Sequence, residues 1–288
     1  MRRRRIGGLV RSSVIAGVLV WTLVPMAVAF VTSLSSEADV EAVPARWLPS
    51  DANFDAYRGL VLGRSELPGL FVPPQVSEFP QALTNSVVIT SESVVAILVL
   101  SVLAGYSLSR LRFRGRVFVL GALISTLLIP TVVIVVPLFR IISDLNLIDT
   151  KTGVTLAIVS ANAPLAVWLF YNYCREMPIE PQEAALIDGC TPVSALTKVM
   201  LPQMWSGIAA LTAIVMLSVW GSFFIPLLFA STASTKPATV FITELIGGKS
   251  IRNYPIQAAA GILTLLPPAM VAIFLNRHIR GMLSGWSG

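Results

Sequence analysis

Six apolar stretches run along the chain, separated by polar loops. They cover roughly 13–34, 82–108, 117–142, 153–173, 207–231 and 256–276. About 20 helical residues cross the roughly 30 Å hydrocarbon layer of a membrane, so each stretch fits one crossing. Helices are the form they must take, because an open strand edge in lipid leaves backbone groups unpaired. The pattern predicts an all-α integral membrane fold of six transmembrane helices, with residues 1–288 forming a single transmembrane domain.

Composition sharpens this picture. The chain is 55% hydrophobic and only 12% charged, against roughly 25% charged in a soluble domain. Its mean hydropathy is +0.78. The net charge of +6 would suggest nucleic acid in a soluble protein. Here the charges lie between apolar runs, so no nucleic-acid partner is expected.

Most of the 21 Lys and Arg fall on one side of a six-span arrangement. Arg2–Arg5 and Arg11 precede the first span, and Arg110, Arg112, Arg114 and Arg116 follow the second. Arg175 and Lys198 lie between the fourth and fifth, and Arg277 and Arg280 follow the sixth. The positive-inside rule makes that side, and both termini, cytoplasmic. The first run is longer than an ordinary signal core, so it is expected to stay as a span. The acid-rich loop 35–81 is then external, as a cap over the spans and a docking surface for an external partner.

The loop over about 177–202 differs from the rest. Pro178 and Pro181 suit a helix start, Gln182–Asp188 favour helix, and Gly189 suits a stop. A second helix follows from Pro192, its apolar residues Val193, Leu196, Val199 and Met200 recurring at helical spacing. Leu201-Pro202 breaks the direction before the fifth span. This predicts a cytoplasmic helix–turn–helix between spans four and five.

Glu183-Ala184-Ala185, then Asp188-Gly189 and Leu201-Pro202, resembles the EAA loop of bacterial ABC importer permeases. Departures are Cys190 where Ala is usual, Leu196 where Phe is common and Ser206 where Pro often stands. The likeness extends to Asn85-Ser86, to Ala104–Gly115, to Ile129-Pro130 through Thr150 and to Trp220–Leu228, where Gly221 and Ser222 replace the usual Asn. It is nearest to the maltose-transporter-type smaller permease of carbohydrate uptake. The resemblance implies an ATP-driven importer subunit forming half of a translocation path for a sugar, polyol or glycerol phosphate. It assigns ATPase coupling to Glu183, Ala184, Ala185, Asp188 and Gly189, with Leu201 and Pro202 anchoring the loop. Implied partners are a second permease, a cytoplasmic ABC ATPase dimer, an extracytoplasmic solute-binding protein and the lipid bilayer of a bacterial inner membrane.

Glu92 is the one acid inside a predicted span, and with Trp220, Gly221 and Phe224 it is a candidate for the solute path. Cys174 and Cys190 read as unpaired small residues, and His278 as a surface residue. No metal cluster or catalytic constellation converges, so the chain is expected to be non-catalytic, with ATP bound by the partner. Gly247-Gly248-Lys249-Ser250 is a poor phosphate loop, since Thr243 stands where its first glycine belongs. The alternative reading is an ion-coupled secondary transporter, for which only Glu92 offers an intramembrane ligand.

Overall fold

The computed structural model describes residues 2–44, 46–64, 66–67, 70–71, 74–247 and 253–285. They are mostly helical and fall into two compact units, Met1–Gln81 with Phe241–Leu265, and Ala82–Val240 with Leu266–Gly288.

The first unit begins with α1 (Arg2–Ser33). No residue in its apolar window is buried, as expected of a helix surrounded by lipid. The loop behind it is structured, with α2 (Glu37–Val40), α3 (Asp55–Leu62), a two-residue hairpin of β1 (Glu66–Leu67) and β2 (Leu70–Phe71), and one 3₁₀ turn at Pro74–Glu78. Asp39 organises the start of this loop. Its carboxylate accepts from Ser36 Oγ, Ser50 Oγ and Arg46, the last at 3.1 Å. The hydroxyls of Ser50 and Ser36 together with the Arg46 guanidinium hold the Asp39 carboxyl down at about 2. Leu60, Val76, Phe79, Phe241 and Ile256 form the buried centre, with the Phe79 and Phe241 rings 5.5 Å apart.

The second unit is built around α7 (Lys151–Glu176), which follows α4 (Phe79–Arg110), α5 (Arg116–Leu127) and α6 (Thr131–Asp144). After α7 the unit holds α8 (Glu180–Ile187), α9 (Pro192–Gln203), α10 (Trp205–Trp220) and α11 (Phe224–Phe229), while α12 (Ala238–Gly247) and the first part of α13 (Tyr254–Gly285) belong mostly to the first unit. Small residues bring helices close to α7. A methyl group placed on Gly105 would lie 3.0 Å from Tyr171 N, and one on Gly207 would enter the Tyr173 ring at 2.3 Å. Such contacts are how helices pack where lipid gives no hydrophobic drive. Ile97, Ile158, Phe170, Met200, Met204, Leu211 and Phe229 lie in the resulting core.

The segment Phe229–Ala238 is stitched to the start of α7 and to α4. Asp149 accepts from the backbone N–H of Ser231 (2.8 Å) and Thr232 (3.1 Å) and from the Thr235 hydroxyl. Asn85 Nδ2 donates to the carbonyls of Ala233 and Lys236, both at 2.9 Å, and Ser86 Oγ accepts from Ala238 N–H at 2.8 Å.

The six predicted spans are met in part. Among the described residues, four helices are long and apolar enough to cross a membrane, or up to six if each of two bent pairs is one crossing. The expected span over 117–142 is not one rod. It is α5 and α6, bent by 107° at Leu128–Pro130. Pro130 adopts φ −57, ψ 138, and its ring drives the preceding residue out of the helical region. The expected span over 207–231 ends at Trp220, and Gly221–Phe223 separates it from α11. Gly248, Lys249 and Ser250 lie outside the described residues, as do the side chains of Arg277, His278 and Arg280.

Candidate functional site

Two helices, α8 and α9, occupy the stretch where the helix–turn–helix is expected. Glu180 and Glu183 put negative charge in the first turn of α8, where the exposed N–H groups favour it. The helix then closes in a Schellman turn. Gly189 N–H donates to Leu186 O at 3.1 Å and Cys190 N–H to Ala185 O at 3.0 Å. Gly189 has φ +86, a left-handed conformation that costs any other residue about 1–2 kcal/mol. Thr191 caps α9 by accepting from Ser194 N–H at 3.2 Å, with Pro192 in the first helical position.

Burial divides this elbow into two faces. Gln182 and Ala185 of α8 and Ala195, Leu196 and Met200 of α9 are buried, and the two helices pack on each other. Glu183, Ala184, Asp188 and Gly189 are exposed. So are Ile187, at 85%, and Val193, at 70%. Among the described residues neither Glu183 nor Asp188 has an ion-pair partner. The sequence pattern groups Val193 with the buried residues, and the structure turns it outward. Ala195–Met200 is a π-helix, and its wider turn rotates the apolar face away from the spacing of an α-helix. Ile187 was legible, since it follows buried Ala185 by two residues and so faces the opposite way. Leu201 is partly buried and Pro202 exposed, in the last turn of α9 before a 77° bend into α10.

Arg110, from the end of α4, holds the entrance to the elbow. Its Nη2 donates to Cys174 O at 2.8 Å and to Met177 O at 2.7 Å, with Pro178 O at 3.4 Å. These are carbonyls at the C-terminus of α7, where a helix leaves acceptors free and favours a cation. Cys174 and Cys190 are both free thiols, the first buried beneath this cap.

The candidates for a solute path do not all meet. Gly221 lies in the break between α10 and α11, and Phe224 just after it lines a hollow of about 260 Å³ with Thr131, Ala161, Asn162, Ser218 and Ser222, while Gly221 is not among the lining residues. Ser218 Oγ donates to Asn162 Oδ1 at 2.8 Å across it. Trp220 is buried next to the break instead of facing the hollow. Glu92 stands elsewhere, accepting from Thr155 Oγ1 at 3.0 Å. The sequence reading missed Asn162, whose signal is an amide in the middle of an apolar run.

Residues 97–282 match the family model described as binding-protein-dependent transport system inner membrane component. The trehalose transport system permease protein SugB of Mycobacterium tuberculosis is 29% identical over 267 residues, 92% of each chain. The arabinooligosaccharides transport system permease protein AraQ of Halalkalibacterium halodurans is 33% identical over 202 residues, 70% of this chain and 71% of that one. In fold, the chain is similar to a crystallised bacterial ABC transporter involved in the import of the acidic polysaccharide alginate. The TM-score is 0.81 at 23% identity, covering 96% of this chain and 98% of that chain.

Proposed function

The chain belongs to the family of inner-membrane components of binding-protein-dependent transport systems, and on that premise we propose that its α8–α9 elbow couples it to a separate ATPase. It is a permease subunit of an ATP-driven importer, and its part in transport is mechanical, not catalytic. The solute in this proposal is a carbohydrate or a related polyol or glycerol phosphate, supported by the sugar permeases among its relatives. The assembly comprises a second permease, a cytoplasmic ATPase dimer and an external solute-binding protein, with six crossings and both termini in the cytoplasm.

The observation that carries this reading is the composition of the exposed elbow. Two acids without ion partners, Glu183 and Asp188, flank small Ala184 and Gly189, while Ile187 and Val193 offer bare apolar area. Small and apolar groups let a partner approach closely, and the acids suit cationic side chains in a groove. Gly189 fixes the angle of the turn and Arg110 ties it to α4. Motion of a partner gripping α8 is thereby passed to α7 and α4. Phe224 and the hydroxyl and amide groups of Thr131, Asn162, Ser218 and Ser222 then line this subunit's share of the path, with Gly221 in the adjoining break and Glu92 apart from it on Thr155.

The test is uptake and ATP hydrolysis by the complete transport complex in proteoliposomes. Ile187→Asp and Asp188→Lys are each expected to lower uptake about tenfold or more, equivalent to about 1.4 kcal/mol of lost contact, while the spans stay folded. Uptake at the wild-type rate in both variants would sink the coupling role.

A further inference from the structure

We propose that the hairpin between α4 and α5 binds the headgroup of an anionic phospholipid. Gly115, at φ +88, turns the chain so that residues on both sides of it line one hollow. The hollow has a volume of about 470 Å³ and is lined by Arg112, Phe113, Arg114, Gly115, Arg116 and Val117. No acid lines it. Arg110, the nearest other cation in sequence, is already spent on the carbonyls at the end of α7. The side chains of Arg112, Arg114 and Arg116 form no hydrogen bond or salt bridge among the described residues.

Three arginines lining one hollow, with no acid among its lining residues, call for an anion with several acceptor oxygens. A guanidinium meets a phosphate through two parallel N–H···O bonds, so a phosphodiester fits this chemistry better than a carboxylate or chloride. A free phosphate would satisfy the charge, but the surroundings favour the lipid. Leu111, Phe113, Val117 and Phe118 are exposed beside the arginines, Val117 at 82% and Phe118 at 80%. The arginines stand where two apolar helices begin and end, the depth at which headgroups lie. Phosphate in the hollow with acyl chains over Phe113, Val117 and Phe118 covers both the charged and the apolar groups. A free anion covers only the first. The inference does not depend on which solute is carried or on the role of the elbow.

The test is native mass spectrometry of the delipidated transport complex titrated with phosphatidylglycerol or phosphatidylcholine. The wild type is expected to bind phosphatidylglycerol about tenfold tighter or more, as a few basic groups at a membrane surface provide, and to lose affinity as salt rises. The triple variant Arg112→Gln, Arg114→Gln, Arg116→Gln is expected to lose the preference. The triple Arg→Lys variant keeps the charge and is expected to lie between them. Excess inorganic phosphate should leave the lipid bound. Equal binding of the two lipids, an undiminished preference in the Gln variant, or displacement by inorganic phosphate would each overturn the proposal. Should the Gln variant fail to assemble, Arg114→Gln alone and the salt series on the wild type decide. An affinity for phosphatidylglycerol that ignores salt would overturn it.

Discussion

At the Lys151 end of α7 a carboxylate gathers the surrounding chain, and at the Glu176 end a guanidinium does. About 39 Å of helix, at 1.5 Å per residue, separates the two. The Asp149 end is redundant. Three donors converge on that carboxylate, Asp149 N–H donates to Phe229 O at 3.0 Å, and Asn85 and Ser86 hold the same segment from α4. At the Glu176 end Arg110 makes two short bonds and a long one, and among the described residues its buried Nε has no partner. Beyond it lies an elbow with bare apolar side chains. One end of α7 is therefore tied by several polar groups from two segments and the other chiefly by one guanidinium, with packing of Gly105 and Gly207 against Tyr171 and Tyr173, the arrangement expected of a lever held more firmly at one end than at the other.

The largest expected effect comes from cutting the Arg110 tie. Arg110→Ala leaves half-buried carbonyls unpaired, a loss of about 1.5–3 kcal/mol for hydrogen bonds to a charged group. Amide exchange over residues 174–182 should accelerate and uptake should fall about tenfold or more, while residues 229–238 keep their protection. Equal loosening at both ends would erase the comparison. Gly189→Val acts on the elbow alone. Forcing a branched residue into the left-handed region costs about 1–2 kcal/mol, so the Schellman turn should open and coupling weaken with α7 intact. Asp149→Asn should have the smallest effect, because its neighbours share the task. It should speed exchange at Ser231–Thr235 and leave uptake near the wild-type level. Acid offers the same test. Burial pushes the Asp149 carboxyl up, but the hydrogen bonds from Thr235, Thr232 and Ser231 outweigh it and leave it below the usual carboxylate range. A lowered value means the tie is complete above about pH 3.9, the ordinary aspartate value, and is lost as pH falls through the lowered one. Protection of Ser231–Thr235 relative to the intrinsic exchange rate at each pH should thus be flat from neutral pH into mild acid and fall only below it.

The apolar runs carried the fold, because a lipid solvent writes its demand in long uninterrupted stretches. The elbow was also legible, since Pro181, Gly189 and Pro192 act locally. The break at Pro130 was masked. The run stays apolar through Leu128 and Ile129, and hydropathy does not register a change of direction. The outward turn of Val193 followed from the π-helix, which spacing rules built on 3.6 residues do not anticipate. Arg110 was read only as a charge fixing orientation. Its partners lie more than 60 residues away, and no local pattern announces them. The Asp149 network was unreadable for the same reason.

The bend at Leu128–Pro130 bears on where water goes. Its two arms are about 18 Å and 21 Å long at 1.5 Å per residue, and neither alone crosses a hydrocarbon layer of about 30 Å. The exposed backbone of the corner cannot rest against acyl tails, which offer its carbonyls nothing. Moisture or another subunit's polar groups must reach it, and the nearby Thr131 and Asn162 mark the wet side. A broken rod is thus a place where the protein, and not the lipid, has to satisfy the chain.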